Sequence, residues 1–240
     1  MLITFVILAV EDHIELFDAA YTGKLNRFKK AIRKAKDVKG RVSLHAAAGG
    51  GSLEVCRYLI EKLKLDVDSK DKDGCTPLYY TVPKGHLDTV RYLLEKGAAA
   101  DASNHLNHTP LHYAARMGVT KIITLLLSRG VRVDVPTVTG TALQFAAGNG
   151  HRDAVKVLLA HGANSNVVHN QGTVSPLISA ISIKSWECVE LLLQAGADPN
   201  AVSYDGYDGN TPLTVAARDG RVDDIKRLLE AGADPNYKTN

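Results

Sequence analysis

Apolar positions along this chain return in blocks. A leucine opens each block, at Leu44, Leu78, Leu111, Leu143, Leu177 and Leu213, so the steps are 34, 33, 32, 34 and 36 residues. Two small residues follow three and four positions on, best seen as Ala114 and Ala115 after Leu111. A glycine then breaks the pattern (Gly51, Gly85, Gly118, Gly150, Gly220). A second apolar stripe comes next. Its columns hold Cys56, Val90, Ile123, Val155, Val189 and Ile225, then Leu59, Leu93, Leu126, Leu158, Leu192 and Leu228. Apolar residues spaced three and four apart predict helices, so each block predicts two short helices with a turn between them.

The polar positions around the stripes agree. In the phrase Thr109-Pro110-Leu111-His112-Tyr113-Ala114-Ala115 the threonine suits an N-cap, and proline suits the first helical position, where no donor is lost. Alanines on the inner face let a neighbouring helix approach closely. Gly118 suits a left-handed C-cap, and Gly130 ends the second helix. The stretch before the next Thr-Pro reads as an extended turn, with Asp71-Lys72-Asp73-Gly74 the clearest case. No block carries enough apolar surface to fold alone, so stability must come from stacking of neighbours.

A period near 33 with Thr-Pro-Leu-His-x-Ala resembles the ankyrin repeat, over roughly residues 13 to 240. The resemblance implies an all-α solenoid of stacked helix–turn–helix units with protruding β-turn fingers, about seven repeats in number. It implies a non-catalytic protein–protein interaction module or scaffold, binding a protein partner through a concave face of fingers and first helices. Leu16-Phe17-Asp18-Ala19-Ala20-Tyr21-Thr22-Gly23 keeps the leucine, alanines and glycine without Thr-Pro, and a lysine-rich helix follows. It reads as a degenerate basic cap over about 13–36, with six repeats over about 37–236 and an unfinished finger to 240. Gly232-Ala233-Asp234-Pro235-Asn236, with that opening and the basic cap, also resembles the ankyrin part of plant proteins that join such an array to a tetratricopeptide module. That narrower likeness implies a C-terminal companion domain missing from this chain. Because no repeat follows it in this sequence, the helix carrying Ile225, Leu228 and Leu229 is expected to have a partly exposed outer side.

Local departures carry their own expectations. Asn107 and Lys184 stand where glycine is expected, which puts a side chain in a left-handed site. Pro83 should end its helix early. The duplicated Tyr204-Asp205-Gly206-Tyr207-Asp208-Gly209 reads as a loop insertion that makes the 36-residue step. Residues 1–12 open with MLITFVILAV, an apolar extension too short to span a bilayer and without the basic start of a secretory signal. It reads as a docked or frayed extension, with a membrane-surface anchor or an artefact of gene boundaries as alternatives.

Composition adds that 6% aromatic content suits small Ala/Leu layers rather than one large globular core. The 3 cysteines show no paired spacing, so a disulfide framework is not expected and an intracellular setting, cytoplasmic or nuclear, fits. Histidines invite a metal reading, but His45 and His112 fill the Leu-His slot, His86 and His151 follow the inter-helix glycine, and His105 and His108 lack partner ligands. The resemblance implies that the Leu-His histidines bond backbone near the turn. Gly49-Gly50-Gly51 lacks the lysine of a phosphate loop and reads as a relaxed turn. A nucleophile needs a base and an orienting group held in one pocket, and every candidate here is explained by its repeat slot. No cofactor, metal or catalytic residue is assigned.

Charge supplies the one rival function. Residues 24 to 41 hold nine Lys/Arg and one acid, Asp37, within a chain of net charge +3. The alternative is therefore an electrostatic tether to nucleic acid or anionic membrane through residues 24–41, Lys29, Lys30, Arg33 and Lys34 included. A solvated cap face is preferred, because Phe28 is the one interleaved aromatic and fits the buried stripe.

The expected partner-binding residues occupy the slot before the two alanines, the two slots after them, and the fingertips. They are Tyr80, Lys84, Tyr113, Arg116, Met117, Phe145, Asn149, Arg218 and Asp219 on the first helices, with Lys72, Asp73, His105, Leu106 and Asn170 on the fingers. Aromatic, Arg and Met side chains are enriched in interface cores, which favours Tyr80, Tyr113, Arg116, Met117 and Phe145. Trp186, opening an outer helix, reads as packing.

Overall fold

The computed structural model describes residues 14–34, 41–167, 175–202 and 211–237. They form two compact units, divided between Pro110 and Leu111. Residues 1–13, the insertion at 204–209 and Asn170 lie outside the described residues, as do positions 35–40 of the basic run.

The first unit holds α1 (14–21), α2 (Leu25–Lys34), α3 (Arg41–Gly49), α4 (Leu53–Arg57) with a π-helical continuation Tyr58–Lys62, α5 (Pro77–Thr81) and α6 (Leu87–Glu95). The second holds α7 (Pro110–Met117), α8 (Thr120–Ser128), α9 (Ala142–Gly148), α10 (Arg152–Ala160), α11 (Pro176–Ser182), α12 (Trp186–Gln194), α13 (Pro212–Arg218) and α14 (Val222–Glu230). The described residues thus make seven helix pairs and no strand. The nearest approach to a strand is an isolated antiparallel bridge between Thr137 and Gly140.

Each pair buries its stripe against its neighbours. First helices meet first helices (α3 with α5, α9 with α11, α11 with α13), and second helices meet second helices (α4 with α6, α8 with α10, α10 with α12). The column Leu59, Leu93, Leu126, Leu158, Leu192, Leu228 is 0% exposed throughout. Burial of an alanine-lined inner face and a leucine-lined outer one leaves each layer thin, as the low aromatic content requires.

Glycine spacing fixes the turns. Gly118 has φ +67, and a Cβ there would stand 2.6 Å from the His151 ring of the next pair. His151 itself donates from Nε2 to the Arg116 carbonyl at 3.0 Å. Glycine is therefore required twice at this turn, for its backbone angle and for the imidazole that locks the next pair onto it.

The departures resolve as the sequence predicts. Asn107 and Lys184 adopt φ of 60 and 64. The helix before Pro83 stops at Thr81, five residues long, where α7 runs eight. Cap chemistry varies between repeats. Thr141 closes a full capping box with Gln144, and Ser175 and Thr211 accept from the third amide of their helices, whereas the Thr76 hydroxyl is buried without a partner.

One feature departs from a plain helix pair. Elsewhere a left-handed glycine follows four residues after the stripe leucine, as Gly97 follows Leu93, but here Lys64 takes that conformation (φ 57) five residues after Leu59. The extra residue is absorbed by widening the last turn: the Leu63 amide reaches back to the Tyr58 carbonyl at 3.2 Å. A π-helical bulge is the usual way a helix takes in one residue without losing its ladder.

Candidate partner-binding face

The finger of the first unit is built around one carboxylate. Asp71 Oδ1 accepts from the amides of Asp73 (2.9 Å) and Cys75 (2.8 Å), and its Oδ2 accepts from the Tyr80 hydroxyl at 2.6 Å. Burial pushes the Asp71 carboxyl up, but those hydrogen bonds outweigh it and hold it below the usual aspartate range. The same bond, with burial, pushes the Tyr80 phenol well above its ordinary value. His45 donates from Nε2 to the Cys75 carbonyl at 3.0 Å and meets the Tyr80 ring edge-to-face at 5.6 Å. The finger, the first helix and the Tyr80 ring are thus one fixed assembly.

At the opposite end of α5 the chain makes a close approach. A Cβ on Gly50 would collide with the Tyr21 carbonyl, and Gly49 packs between Tyr80 Cβ and the Tyr21 ring at 3.6 and 3.8 Å. Gly49-Gly50-Gly51 is therefore a saddle over which Tyr21 reaches the loop after α5. There Lys84 Nζ lies 4.6 Å from the centre of the Tyr21 ring and donates to its hydroxyl.

Between finger and saddle lies a cleft of about 610 Å³. Phe17, Tyr21, Ala46, Gly49 and Tyr80 line it with carbon, His45 closes one wall, and Asp71, Lys72 and Asp73 form the finger rim. Phe17 is 48% exposed, a large apolar ring left open to solvent. The volume falls in the ~300–1,000 Å³ range of pockets that bury a ligand.

Of the residues singled out from sequence, the cleft brings together Tyr80, Lys72 and Asp73, and Lys84, outside the lining, is held to it through Tyr21. His105 is tied to the same finger by its amide, which donates to the Asp73 carbonyl at 3.0 Å, and Leu106 beside it is 64% exposed. Sequence reading missed Phe17, Tyr21 and His45 as cleft residues. The signal was present, since Tyr21 fills the first slot after Ala19-Ala20, the column that yields Arg116 after Ala114-Ala115.

The remaining positions belong to the second unit. On α7 Tyr113 is half-buried, while Arg116 and Met117 are exposed. On α9 Phe145 is half-buried with its ring edge-to-face to His112 at 6.0 Å, and Asn149, just past the helix, donates to the Phe145 carbonyl at 2.8 Å. Arg218 and Asp219 follow Ala216-Ala217, exposed and 3.8 Å apart. His112 donates from Nε2 to the Val135 carbonyl at 2.8 Å, so both Leu-His histidines bond backbone as the resemblance implies. Trp186 is half-buried, with the Arg221 guanidinium 3.8 Å over its ring, a packing role.

The basic cap is partly engaged. Arg27 pairs with Asp18 at 3.0 Å and Glu15 at 3.4 Å, and Lys29 lies 5.0 Å over the Tyr58 ring. Among the described residues no group of three or more His, Cys, Asp or Glu is placed to hold a metal ion, and no helix is long and apolar enough to cross a membrane. Burial pushes the Cys56 thiol up to about 12, which leaves it protonated and inert.

Stacked helix pairs of fixed period, carrying an open cleft between finger and first helix, define a class of repeat protein. The family model for ankyrin repeats in three copies matches residues 16–104, 63–137, 96–169, 137–203 and 164–239, and the chain belongs to the ankyrin-repeat family. It is similar to Inversin of Danio rerio, 35% identical over 215 residues, which is 74% of this chain and 21% of that protein. It is also similar to ankyrin repeat protein nuc-2 of Neurospora crassa, 29% identical over 183 residues, 72% of this chain and 17% of that protein. The chain therefore spans about a fifth of the length of these relatives. The crystal structure of the human ASB11 ankyrin repeat domain superposes with a TM-score of 0.77 at 29% identity, covering 92% of this chain and 98% of that one. Ankyrin repeats mediate protein–protein interaction and are generally non-catalytic.

Proposed function

We propose that this chain is a non-catalytic binding module that captures a protein partner through its finger and first-helix faces. The carrying observation is the cleft of the first unit: aromatic carbon held open to solvent on a rigid hydrogen-bonded frame. The Asp71 hydrogen bonds and the buried His45 brace the frame, so the cleft needs little ordering to bind. In the second unit Arg116 and Met117 offer a further exposed pair of residue types enriched in interface cores. The unpaired and buried Cys56, Cys75 and Cys188 support a reducing, intracellular setting, cytoplasmic or nuclear.

Capture of partners from native extract tests the reading. Phe17→Ser, or Arg116→Glu with Met117→Ala, is expected to weaken capture by on the order of 2 kcal/mol while leaving the unfolding midpoint nearly unchanged. Undiminished capture by both variants would show that neither face binds.

A further inference from the structure

The cleft of the first unit is electrically polarised along α5, and its two ends carry opposite signs. At the finger end Asp71, Lys72 and Asp73 sum to one net negative charge. Asp71 is engaged by Tyr80 and two amides and is half-buried, so Asp73, exposed at the tip, is the carboxylate more open to a partner. At the saddle end stands Lys84, exposed and outside the lining itself, its ammonium over the ring of Tyr21, which does line the cleft, and donating to that hydroxyl. Arg27, by contrast, already holds two carboxylates on α1. Between these ends the walls are the rings of Phe17, Tyr21 and Tyr80 over a floor of Ala46 and Gly49. A floor without long side chains leaves depth for a bulky group, and carbon walls favour an apolar one.

We infer that the cleft takes a short extended peptide segment of the partner with a bulky apolar or aromatic side chain at its centre, a basic residue on one side and an acidic residue on the other. The central side chain lies between the Tyr21 and Tyr80 rings, the basic residue pairs with Asp73, and the acidic residue pairs with Lys84. The inference rests on the protein-binding reading above and deepens it. A peptide can lie in either direction, so the requirement is one charge of each sign flanking the anchor, not their order. Lys84 lies over Tyr21 in the free protein, and an incoming carboxylate draws the ammonium off the ring toward itself. Exposed pairs of this kind discriminate modestly and are screened by salt.

Three fluorescein-labelled, capped seven-residue peptides test this by fluorescence polarisation on the whole chain. Each carries a central Phe flanked two positions away by Arg and Asp, by Arg and Arg, or by Asp and Asp. Wild type is expected to bind the mixed peptide best, by about three-fold per mismatched charge at low salt. Lys84→Glu makes both ends negative, and the Arg/Arg peptide should then bind best. Asp73→Lys makes the finger end positive, and the Asp/Asp peptide should take first place. Replacing the central Phe by Ala should abolish binding to all three proteins. An unchanged order of preference in both variants, or a mixed peptide indifferent to loss of its Phe, overturns the inference. So does failure of all three peptides to bind wild type. If Phe17-dependent capture of partners persists in any of those cases, the protein-binding reading survives; if it is lost as well, both fall.

Discussion

Single residues carry the conformational exceptions of this array, and Lys184 is the plainest. It holds φ 64 at the turn between α11 and α12, where its repeat-mates Gly118, Gly150 and Gly220 hold φ of 67, 71 and 69. A Cβ in the left-handed region is strained, and nothing else in the turn demands lysine, since its amide bond to the Ile181 carbonyl is available to any residue. Lys184→Gly is expected to stabilise by roughly 0.5–1 kcal/mol, read as a higher urea midpoint at unchanged slope. A lower midpoint would mean that the lysine side chain makes a contact worth more than the strain. Asp71 is the second residue with outsized influence. Its folded carboxyl sits below the ordinary value of about 3.9, so the stabilisation it gives is complete above that pH and is lost as the pH falls through the lower folded value. Asp71→Asn should therefore flatten the decline of stability as the pH falls below about 4. An acid titration of urea midpoints with equal slopes for both proteins would remove Asp71 from the account.

Elements here are short, and their ends decide them. α9 has seven residues, too few to persist alone, and begins with the Thr141–Gln144 box, in which Gln144 Oε1 accepts from the Thr141 amide at 2.7 Å. Removing the hydroxyl with Thr141→Ala should cost about 1 kcal/mol, seen in thermal or urea unfolding. Thr76→Ala, whose hydroxyl caps nothing, should cost distinctly less, and equal losses would show that the box contributes no more than the threonine methyl. This contrast marks the limit of what the chain reveals in one dimension. Helix order, stripe columns, left-handed Asn107 and Lys184, and the shortened α5 are all legible because they follow from local spacing. Thr76 and Thr141 fill the same slot, and the residues after them differ at N1 (Pro77 against Ala142) and at N3 (Tyr79 against Gln144), of which only Gln144 can close a box. The π-helical turn was legible in principle, as one residue too many between Leu59 and the next left-handed position, but only once that position was known to be Lys64. The binding residues on repeats with a clear motif were within reach of column reasoning. Tyr21 was within that reach too, in the first slot after Ala19-Ala20, but its role was not, because the saddle that joins it to Lys84 spans 63 residues and depends on the bare backbone of Gly49 and Gly50 between them.

At the scale of the whole molecule, stability is a sum of thin layers, each holding its neighbours, and it need not be uniform along the stack. The second unit shows the gradient in its own burial. Leu143, Val155 and Leu158 of α9 and α10 are 0% exposed. In α13 and α14 the equivalent Leu213 and Ile225 are half-buried, and only Leu228 remains at 0%. On α14 Val222 is 61% exposed and Leu229 43%, so that helix covers less apolar surface per turn than α10 does. Local opening costs what the opened segment loses in packing, and amide exchange reads that cost directly. Amides of α14 should therefore exchange at least about ten-fold faster than those of α10 under native conditions, a difference of about 1.4 kcal/mol in local opening. Filling the exposed stripe tests the cause rather than the correlation. A polar change at Leu229 or Val222, such as Leu229→Lys, removes little buried area and should leave α14 exchange nearly as it was, whereas Leu228→Ala should speed it strongly by opening a cavity under the helix. Equal protection of α10 and α14, or equal effects of the two substitutions, would show that layer burial does not set the opening free energy along this stack.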